Sequence, residues 1–420
     1  MNECRTFSVL LATLLLAPGV QAQEAALTLE RTVQLARERA PQLQARAAAL
    51  ESARALAVAA GRLPDPQLVT GIDNLPVTSD DAGSVSRDFM TMRKIGVMQE
   101  FPNAHKRAAQ RAAAQAGISV VQSETLQADL EIARVAAQAW VDVYVADRLE
   151  ANLSTLGPEL ELQAQAVNAA LRSGRASSVD ALTAQAAIFE FDDRLIVARR
   201  EQRAARVALG RWIGDEAHSA TLSTVTHFDN LPYARETLLA SLHQHASLLA
   251  YEAQMALART EIDIARADKR ADWSAALSYA RRGDAFSDMV SVEFRVGLPL
   301  FSRHRQDPVI SARRAELEQL ESQRETELRM HAEAVANTLS SWQSARDRMQ
   351  LYERERAPLA RQRTRTALAG YRGGGTALTE VLSSIVAEVE LQQAYSELSR
   401  ELGRAWVYLR YLQLQESSPP

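Results

Sequence analysis

The sequence contains a single cysteine, Cys4, among 420 residues. A disulfide framework within the chain and a cysteine-ligated metal site are therefore excluded. Glycine and proline are also scarce, at 17 and 13 residues, which excludes collagen-like repeats and argues against long disordered tracts. The formal net charge is only −4, from 48 basic and 52 acidic residues, so the sequence lacks the basic excess typical of a nucleic-acid-binding domain.

Alanine is abundant, with 74 of the 420 residues. Together with the frequent Leu, Glu, Arg and Gln, this composition predicts long and closely packed helices. Charged residues make up 24 % of the chain and are too evenly scattered for a polytopic helical membrane protein. The sequence therefore predicts a mostly α-helical protein.

Residues 1–22 have the pattern of a secretory signal peptide. Arg5 precedes an apolar stretch, Phe7 to Ala17, that is too short to span a bilayer. Small residues at the end of 20–22 match the cleavage spacing, so the mature chain is predicted to begin at Gln23, without a cysteine for lipid attachment. The alternative is a buried N-terminal helix.

The two halves of the chain repeat at a constant offset of 200 residues. The identical pairs include Asp147 and Asp347, Pro158 and Pro358, Arg172 and Arg372, and Gly174 and Gly374. Alanine pairs match by chance, but a Pro and a Gly recurring at the same phase indicate an internal duplication. We place the first repeat at 23–214, a linker at 215–233 and the second repeat at 234–420.

Each repeat is predicted to contain one very long helix and two helices of about half its length. The ranges are 29–63, 104–172 and 177–212 in the first repeat, and 234–269, 303–371 and 377–412 in the second. At about 1.5 Å per residue, the long helices reach roughly 100 Å, more than a single compact core can enclose. Pairing one long helix with two short ones gives a rod whose unburied faces favour a cyclic homo-oligomer. A monomeric helical repeat protein is the alternative.

Two strand-like segments interrupt the helices of each repeat. They are residues 67–75 and 88–101 in the first repeat, and 272–280 and 288–300 in the second. In the last segment Val290, Val292 and Phe294 alternate with polar residues, as in a barrel wall between lipid and water. Four strands cannot close a membrane barrel, so several chains must pool their strands, and three chains would supply twelve. The alternative is a pair of hairpins packed on the chain's own helices.

A basic cluster follows the strands of each repeat. The clusters are His105, Lys106 and Arg107, and Arg303, His304 and Arg305. Long basic side chains at this position are predicted to reach outer-membrane lipid phosphates at the inner leaflet. A solvated face of the helices is the alternative.

The sequence predicts no catalytic residue, no metal ligand and no cofactor. It lacks the G-x-S-x-G, P-loop and H-E-x-x-H motifs. Its seven histidines are dispersed, and His243 and His245 are two residues apart, so on a helix they point to different sides. We therefore expect a protein that is not an enzyme.

Together these features resemble the TolC family of outer-membrane efflux factors. The segments LPDPQLVTGIDNLP, IGVMQEFPNAHKRAAQRAAAQA and LRSGRASSVDALTAQA resemble its heavy-metal branch, which serves cobalt–zinc–cadmium and copper–silver systems. The resemblance covers essentially the whole mature chain. It implies a homotrimer with a shared twelve-stranded barrel in the outer membrane and a long α-helical coiled-coil tunnel in the periplasm, with an equatorial region that includes about 213–233.

The resemblance also implies a function and partners. The trimer would be the passive exit duct for heavy-metal cations, docked on a periplasmic adaptor (membrane fusion) protein and an inner-membrane RND pump. Efflux of drugs or organic solutes and type I protein secretion remain open. A periplasmic coiled coil without a pore is a further alternative.

The tips of the two helical hairpins are the predicted functional sites. Adaptor docking is assigned by the resemblance to Arg172, Gly174, Arg175, Arg372, Gly373, Gly374 and Gly375, although the glycines would also serve as simple helix caps. The channel gate is assigned to Asp180, Glu380 and Tyr371. By the family pattern, both acidic residues line the periplasmic mouth, and Tyr371 is predicted to pair with Asp180.

Overall fold

The computed structural model describes residues 26–78, 80–174, 176–223 and 227–412. The predicted signal peptide at 1–22 and the hairpin residue Arg175 lie outside these described residues. Within the described ranges, no helix combines the length and the apolar character needed to cross a membrane.

The described chain is mostly helical and carries one small antiparallel sheet, which confirms the predicted fold class. The first half consists of α1 (Leu29–Arg39), α2 (Pro41–Ala59), β1 (Gln67–Asp73), β2 (Met92–Phe101), α3 (Ala104–Arg172) and α4 (Ser178–Ile213). The short α5 (Glu216–Ser219) follows. The second half consists of α6 (Arg235–Ala240), α7 (Ala246–Ala267), β3 (Trp273–Arg281), β4 (Met289–Val296), α8 (Gln306–Leu351), α9 (Ala357–Arg372) and α10 (Leu378–Arg410).

Helix α3 is the longest element, with 69 residues. The Asn103 side chain caps its start by accepting a hydrogen bond from the Lys106 backbone N–H at 2.9 Å. The alanine-rich sequence then continues past Pro158 without a break. At about 1.5 Å per residue, α3 extends roughly 104 Å away from the sheet.

Two predicted helices are interrupted in the structure. The predicted 29–63 helix is divided between α1 and α2 at Ala40, because a residue before a proline is held away from the helical region (ψ 113°). The predicted 234–269 helix is divided at His245, whose extended backbone (ψ 140°) and side chain form the N-cap of α7. In both places, a local cap or proline overrides the overall helical pattern.

The predicted 303–371 helix also differs. A 3₁₀ turn, Ser302–His304, precedes α8, and a π-helical segment, Tyr352–Arg356, separates α8 from α9. Pro358 follows the π segment; it has no N–H, and its ring would clash with the carbonyl four residues back in a regular helix. The wider π turn relieves that conflict.

The strands are shorter than the predicted segments. Asn74 ends β1 with a positive φ of +56°. Residue 88 lies in a turn before β2, where the Asp88 carboxylate accepts a hydrogen bond from the Met90 N–H at 2.7 Å. Beyond β4, the Gly297 N–H donates to the Asp272 carbonyl at 2.9 Å, which ends the ladder before Pro299.

The sheet has the order β1-β2-β3-β4, with every neighbouring pair antiparallel. The central pairing of β2 with β3 therefore joins the two halves of the chain. Thr70 lies opposite Ile95, and Val97 opposite Leu277. Leu277 in turn lies opposite Val292, so one register runs across all four strands.

The helices pack as pairs along α3 and α8. Helices α1, α2 and α4 lie along α3, whereas α7 and α10 lie along α8 and also contact α3. Ion pairs mark these contacts, with Arg46 Nη1 at 2.6 Å from Glu124 and Arg206 Nη2 at 2.7 Å from Asp147. The rods of the two halves are thus packed against each other.

Three tryptophans fix the middle of the molecule. The indole N–H of Trp140 donates to the Leu27 carbonyl at 2.9 Å, and that of Trp342 donates to the Phe228 carbonyl at 2.9 Å. The positions of both donor and acceptor recur near the offset of 200 residues between the halves. The third indole, Trp406, donates to the Asn230 carbonyl at 2.8 Å. The linker residues Phe228 and Asn230 are therefore anchored on α8 and α10.

Candidate functional site

One face of the sheet is apolar from edge to edge. Side chains alternate along a strand, and the register brings the outward residues of neighbouring strands side by side. The exposed apolar residues on this face are Leu68, Ile72, Ile95, Val97, Trp273, Leu277, Tyr279, Val290, Val292, Phe294 and Val296. A face of this size in one element is far more apolar than an ordinary solvated surface.

The opposite face carries charged and small residues together with Val69, Met92, Met98 and Met289. Lys94 Nζ lies 2.8 Å from the Asp73 carboxylate, and Arg295 Nε lies 2.5 Å from Glu293. Ser274 and Ser278 lie between these pairs on β3. The sheet thus separates an apolar side from a water-compatible side.

Both edges of the sheet are open. Within the described chain, β1 pairs only with β2, and β4 pairs only with β3. All eight residues of β4 are exposed. A strand edge of this kind leaves a row of N–H and C=O groups available to another strand.

A polar network joins the sheet to the helices. The backbone N–H and the Nδ2 of Asn103 donate to Asp272 Oδ1 at 2.7 and 2.9 Å, and Nδ2 also donates to the Ala267 carbonyl at 3.1 Å. Lys106 Nζ lies 2.8 Å from Asp268 and 3.8 Å from Asp272. The hydrogen bond to Asp268 raises the pKa of Lys106 above its usual range, against the opposing effect of burial. Local sequence patterns do not reveal this network.

The two predicted basic clusters have different environments. In the first, Lys106 is held by ion pairs within the chain, while His105 is exposed. In the second, Arg303 and His304 lie in the 3₁₀ turn before α8, and Arg305 is the residue before its first turn. All three residues of the second cluster are exposed. A role of either cluster at a lipid surface stays a prediction.

Both hairpin tips reverse at a glycine in the left-handed region. Gly174 has φ +69° and Gly374 has φ +76°. The Gly374 N–H donates to the Tyr371 carbonyl at 3.0 Å, and the Gly375 N–H donates to the Gly370 carbonyl at 2.9 Å. This is a Schellman cap, which satisfies the last carbonyls of α9.

The three predicted gate residues lie close to these turns. Asp180 forms a capping box at the start of α4, where its carboxylate accepts from the Ser177 N–H at 2.8 Å and from the Ser177 hydroxyl at 2.7 Å. These hydrogen bonds lower the pKa of Asp180 below its usual value. Glu380 is exposed in the first turn of α10. Tyr371 is half-buried against the core beneath the tips.

Among the described residues no hydrogen bond joins Tyr371 to Asp180. The two hairpins are instead held together by Arg194 of α4, which lies farther from the tips. Its Nη2 donates to Glu190 at 2.8 Å and to Glu390 of α10 at 3.2 Å, and its Nη1 donates to Gln393 at 3.3 Å. The pairing of Tyr371 with Asp180 stays a prediction.

Two histidines that are far apart in the sequence meet in the middle of the molecule. The rings of His245 and His331 are in contact, with their centroids 3.7 Å apart and their planes tilted by 38°. Burial, with a smaller effect from His331, lowers the pKa of His245 to about 4. Nowhere in the described ranges do three or more His, Cys, Asp or Glu residues come together as a metal-binding group.

Comparison with known proteins places the fold among membrane proteins. No family model matches the sequence. A search of curated proteins likewise finds no match. The outer membrane protein VceC from Vibrio cholerae matches with a TM-score of 0.76 and 20% identity, over 91% of this chain and 95% of that chain.

Two further solved structures match at similar levels. The open state of the Neisseria gonorrhoeae outer membrane channel MtrE has a TM-score of 0.74 and 17% identity, over 92% of this chain and 89% of that chain. CusC, whose conformational changes accompany folding and transmembrane channel formation, has a TM-score of 0.74 and 15% identity, over 92% of both chains. This chain therefore has the fold of solved outer-membrane channels.

Proposed function

We propose that the chain is one subunit of a homotrimeric outer-membrane channel, the passive exit duct of a tripartite efflux system. The observation that carries this proposal is the sheet, which is apolar on one face and open at both edges. In lipid an open edge leaves backbone groups without partners, so the sheet needs further strands. Three copies, joined β4 to β1, would give a closed twelve-stranded barrel. The fold shared with solved outer-membrane channels supports the same assembly.

The helices would form the periplasmic part of the duct. They leave the sheet at one end, and α3 alone extends about 104 Å to the hairpin tips. The tips are then the part of the molecule farthest from the membrane. We propose that they dock on a periplasmic adaptor, which connects them to an inner-membrane RND pump. The chain itself would catalyse no reaction.

Heavy-metal cations are the proposed cargo. The support is the resemblance of three sequence segments to the heavy-metal branch, together with an exposed acidic residue, Glu380, at the tip. In a trimer, three copies of Glu380 would form a ring that concentrates cations and repels anions. Neutralising Glu380 should therefore reduce cation selectivity.

Metal tolerance tests the cargo directly. A strain that lacks this gene should become sensitive to at least one of Zn, Co, Cd, Cu or Ag, and the wild-type gene should restore growth. Restored resistance to organic solutes without any metal phenotype would contradict the metal assignment and leave the channel standing. Reversal potentials of Glu380→Gln channels, compared with the exposed mid-helix control Glu321→Gln, test the acidic ring.

The proposed closed state is tested by single-channel conductance. Combining Tyr371→Phe with Asp180→Ala should raise the conductance, because it removes both partners of the proposed contact. Ser177→Ala is the matched control, since it removes the hydroxyl that caps α4 and keeps the Asp180 carboxylate. A double variant that conducts like the wild type would show that this contact does not hold the channel closed.

A further inference from the structure

Two arginines face each other at one end of the apolar face of the sheet. Arg93 of β2 is the direct register partner of Arg281 of β3. Because side chains alternate along a strand, Arg93 shares its face with Ile95 and Val97, and Arg281 shares the same face with Tyr279. Both arginines are exposed. The apolar face therefore ends in two guanidinium groups.

The charge of this pair is poorly compensated within the chain. Like charges directly opposite on neighbouring strands repel each other. In the described part of the chain, Arg93 has no carboxylate partner, and its Nη2 donates to the Arg282 carbonyl at 3.3 Å. Arg281 Nη2 lies 3.2 Å from Asp284, whose side chain is 93% exposed, so this ion pair contributes little. The nearby carboxylate of Asp288 accepts the hydrogen bond of the Tyr279 hydroxyl.

The distance of the arginine pair from the helix end of the sheet places it close to lipid headgroups. At the helix end of the same two strands, the rings of Phe101 and Trp273 stack with centroids 4.2 Å apart. Eight residues separate this aromatic pair from the arginine pair on each strand. That is about 27 Å along the strand, or roughly 20 Å across the membrane for a strand tilted as in known barrels. The apolar band of such barrels is about 25 Å tall, so the arginines lie within about 5 Å of its outer edge, a distance that their long side chains can span.

A shallow depression lies beside the arginines on the same face. It has a volume of about 430 Å³. The residues that line it are Thr70, Gly71, Ile72, Arg93, Lys94, Ile95, Tyr279 and Arg281. Ile72, Ile95 and the Tyr279 ring give it apolar surface, and Arg93 and Arg281 make one end cationic. This combination fits an acyl chain below an anionic headgroup.

We propose that Arg93 and Arg281 bind a phosphate of a phosphorylated glycolipid in the outer leaflet, with an acyl chain in the depression beneath. The site rests on the proposed membrane location, because it needs the helix-distal end of the sheet to face outward. It is separate from the two basic clusters, which lie at the opposite end of the strands. Each basic side chain near an anionic lipid surface strengthens binding roughly fivefold.

Lipid binding by the purified trimer in detergent tests the site. The probes are diphosphorylated lipid A, its dephosphorylated form and inorganic phosphate, and native mass spectrometry counts the bound lipids. The double variant Arg93→Gln with Arg281→Gln should bind lipid A about thirtyfold more weakly than the wild type. Arg295→Gln is the control, because Arg295 carries the same charge, lies on the opposite face of the sheet and is not among the residues that line the depression. It should bind like the wild type, and neither the dephosphorylated lipid nor free phosphate should be retained.

The other outcomes are equally informative. Equal binding of lipid A by the double variant and the wild type would overturn the site, as would an equal loss in Arg295→Gln. Retention of free phosphate as strong as that of lipid A would show a small-anion site instead. If the double variant fails to form a trimer, Arg281→Gln alone should weaken binding roughly fivefold. A wild-type protein that forms no detergent-stable trimer would refute the proposed function. A trimer whose binding of lipid A does not change when the arginines are replaced would refute only this site.

Discussion

Single residues set the shape of the hairpin tips and the stability of the middle of the molecule. Gly374 has φ +76°, a backbone conformation that residues other than glycine rarely adopt. A Cβ at this position would meet no atom within 4 Å. Replacing Gly374 by another residue would therefore destabilise the protein through backbone strain and not through a steric clash. The contacting His245 and His331 rings present a different case, because burial lowers the pKa of both side chains.

Gly374→Ala should lower the free energy of unfolding by about 1 kcal/mol, because alanine is strained in the left-handed conformation that closes α9. Gly373→Ala is the matched control. Gly373 has φ −83° and an added Cβ would make only ordinary contacts, at 3.5 Å from the Ala369 carbonyl oxygen. Thermal unfolding of both variants measures the difference. Equal stability would contradict the strained cap.

Stability should fall as the pH drops from about 6.5 to about 4. The folded protein holds the pKa of His245 at about 4, while the unfolded chain takes up a proton near 6.5, so acid favours unfolding by up to about 3 kcal/mol. The charged residues that line the same cavity are Arg46, Glu124, Glu131, Arg134 and Glu327. Thermal unfolding against pH should be flatter for His245→Gln than for the exposed control His243→Gln. Parallel curves would contradict this account.

At the scale of elements, the joint between the sheet and the helices matters most. Asn103 caps α3 and at the same time bonds Asp272, which immediately precedes β3. This residue therefore ties the start of α3 to the segment that leads into β3. The same joint carries Lys106, which is held by Asp268.

Asn103→Ala should destabilise the protein by about 2 kcal/mol, because it removes a helix cap and the hydrogen bonds to Asp272 and the Ala267 carbonyl. Asn152→Ala, at an exposed position within α3, is the control. Denaturant unfolding of the detergent-solubilised protein provides the comparison. A loss no larger than that of the control would show that the joint does not depend on this side chain.

The fold class could be predicted from the sequence because its signals are local. Uninterrupted alanine-rich stretches favour helix, and alternation such as that of Val290, Val292 and Phe294 favours a half-exposed strand. The breaks were harder to predict. Pro158 and Pro358 are equivalent in the two halves, yet a π segment precedes only Pro358 in the described chain. A proline at an equivalent position therefore does not by itself decide whether a π segment forms.

The candidate site was predictable only in part, for a similar reason. The glycines of the tips predict a turn, because glycine readily adopts a positive φ. In contrast, Asn103 and Asp272 are 169 residues apart, and the contacting histidines come from α8 and the start of α7. Such contacts depend on how distant elements are brought together. The sequence also did not indicate that Arg93 and Arg281 are direct neighbours across β2 and β3.

At the scale of the whole molecule, one chain leaves an apolar face and two strand edges without a partner in its described part. Its sheet exposes an apolar face and two open edges, while its helices extend far beyond any core that the sheet could cover. Copies of the same chain would complete both parts at once, since strands pair at the edges and helices pack along the rods. The central claim is therefore that three chains share one barrel.

The mass of the protein extracted from outer membranes in mild detergent tests this claim most directly. One chain has a mass of 46.2 kDa before any processing. We expect a detergent-dependent particle that contains three copies and opens ion-conducting pores in a planar bilayer. A monomer that stays in solution without detergent would contradict the account.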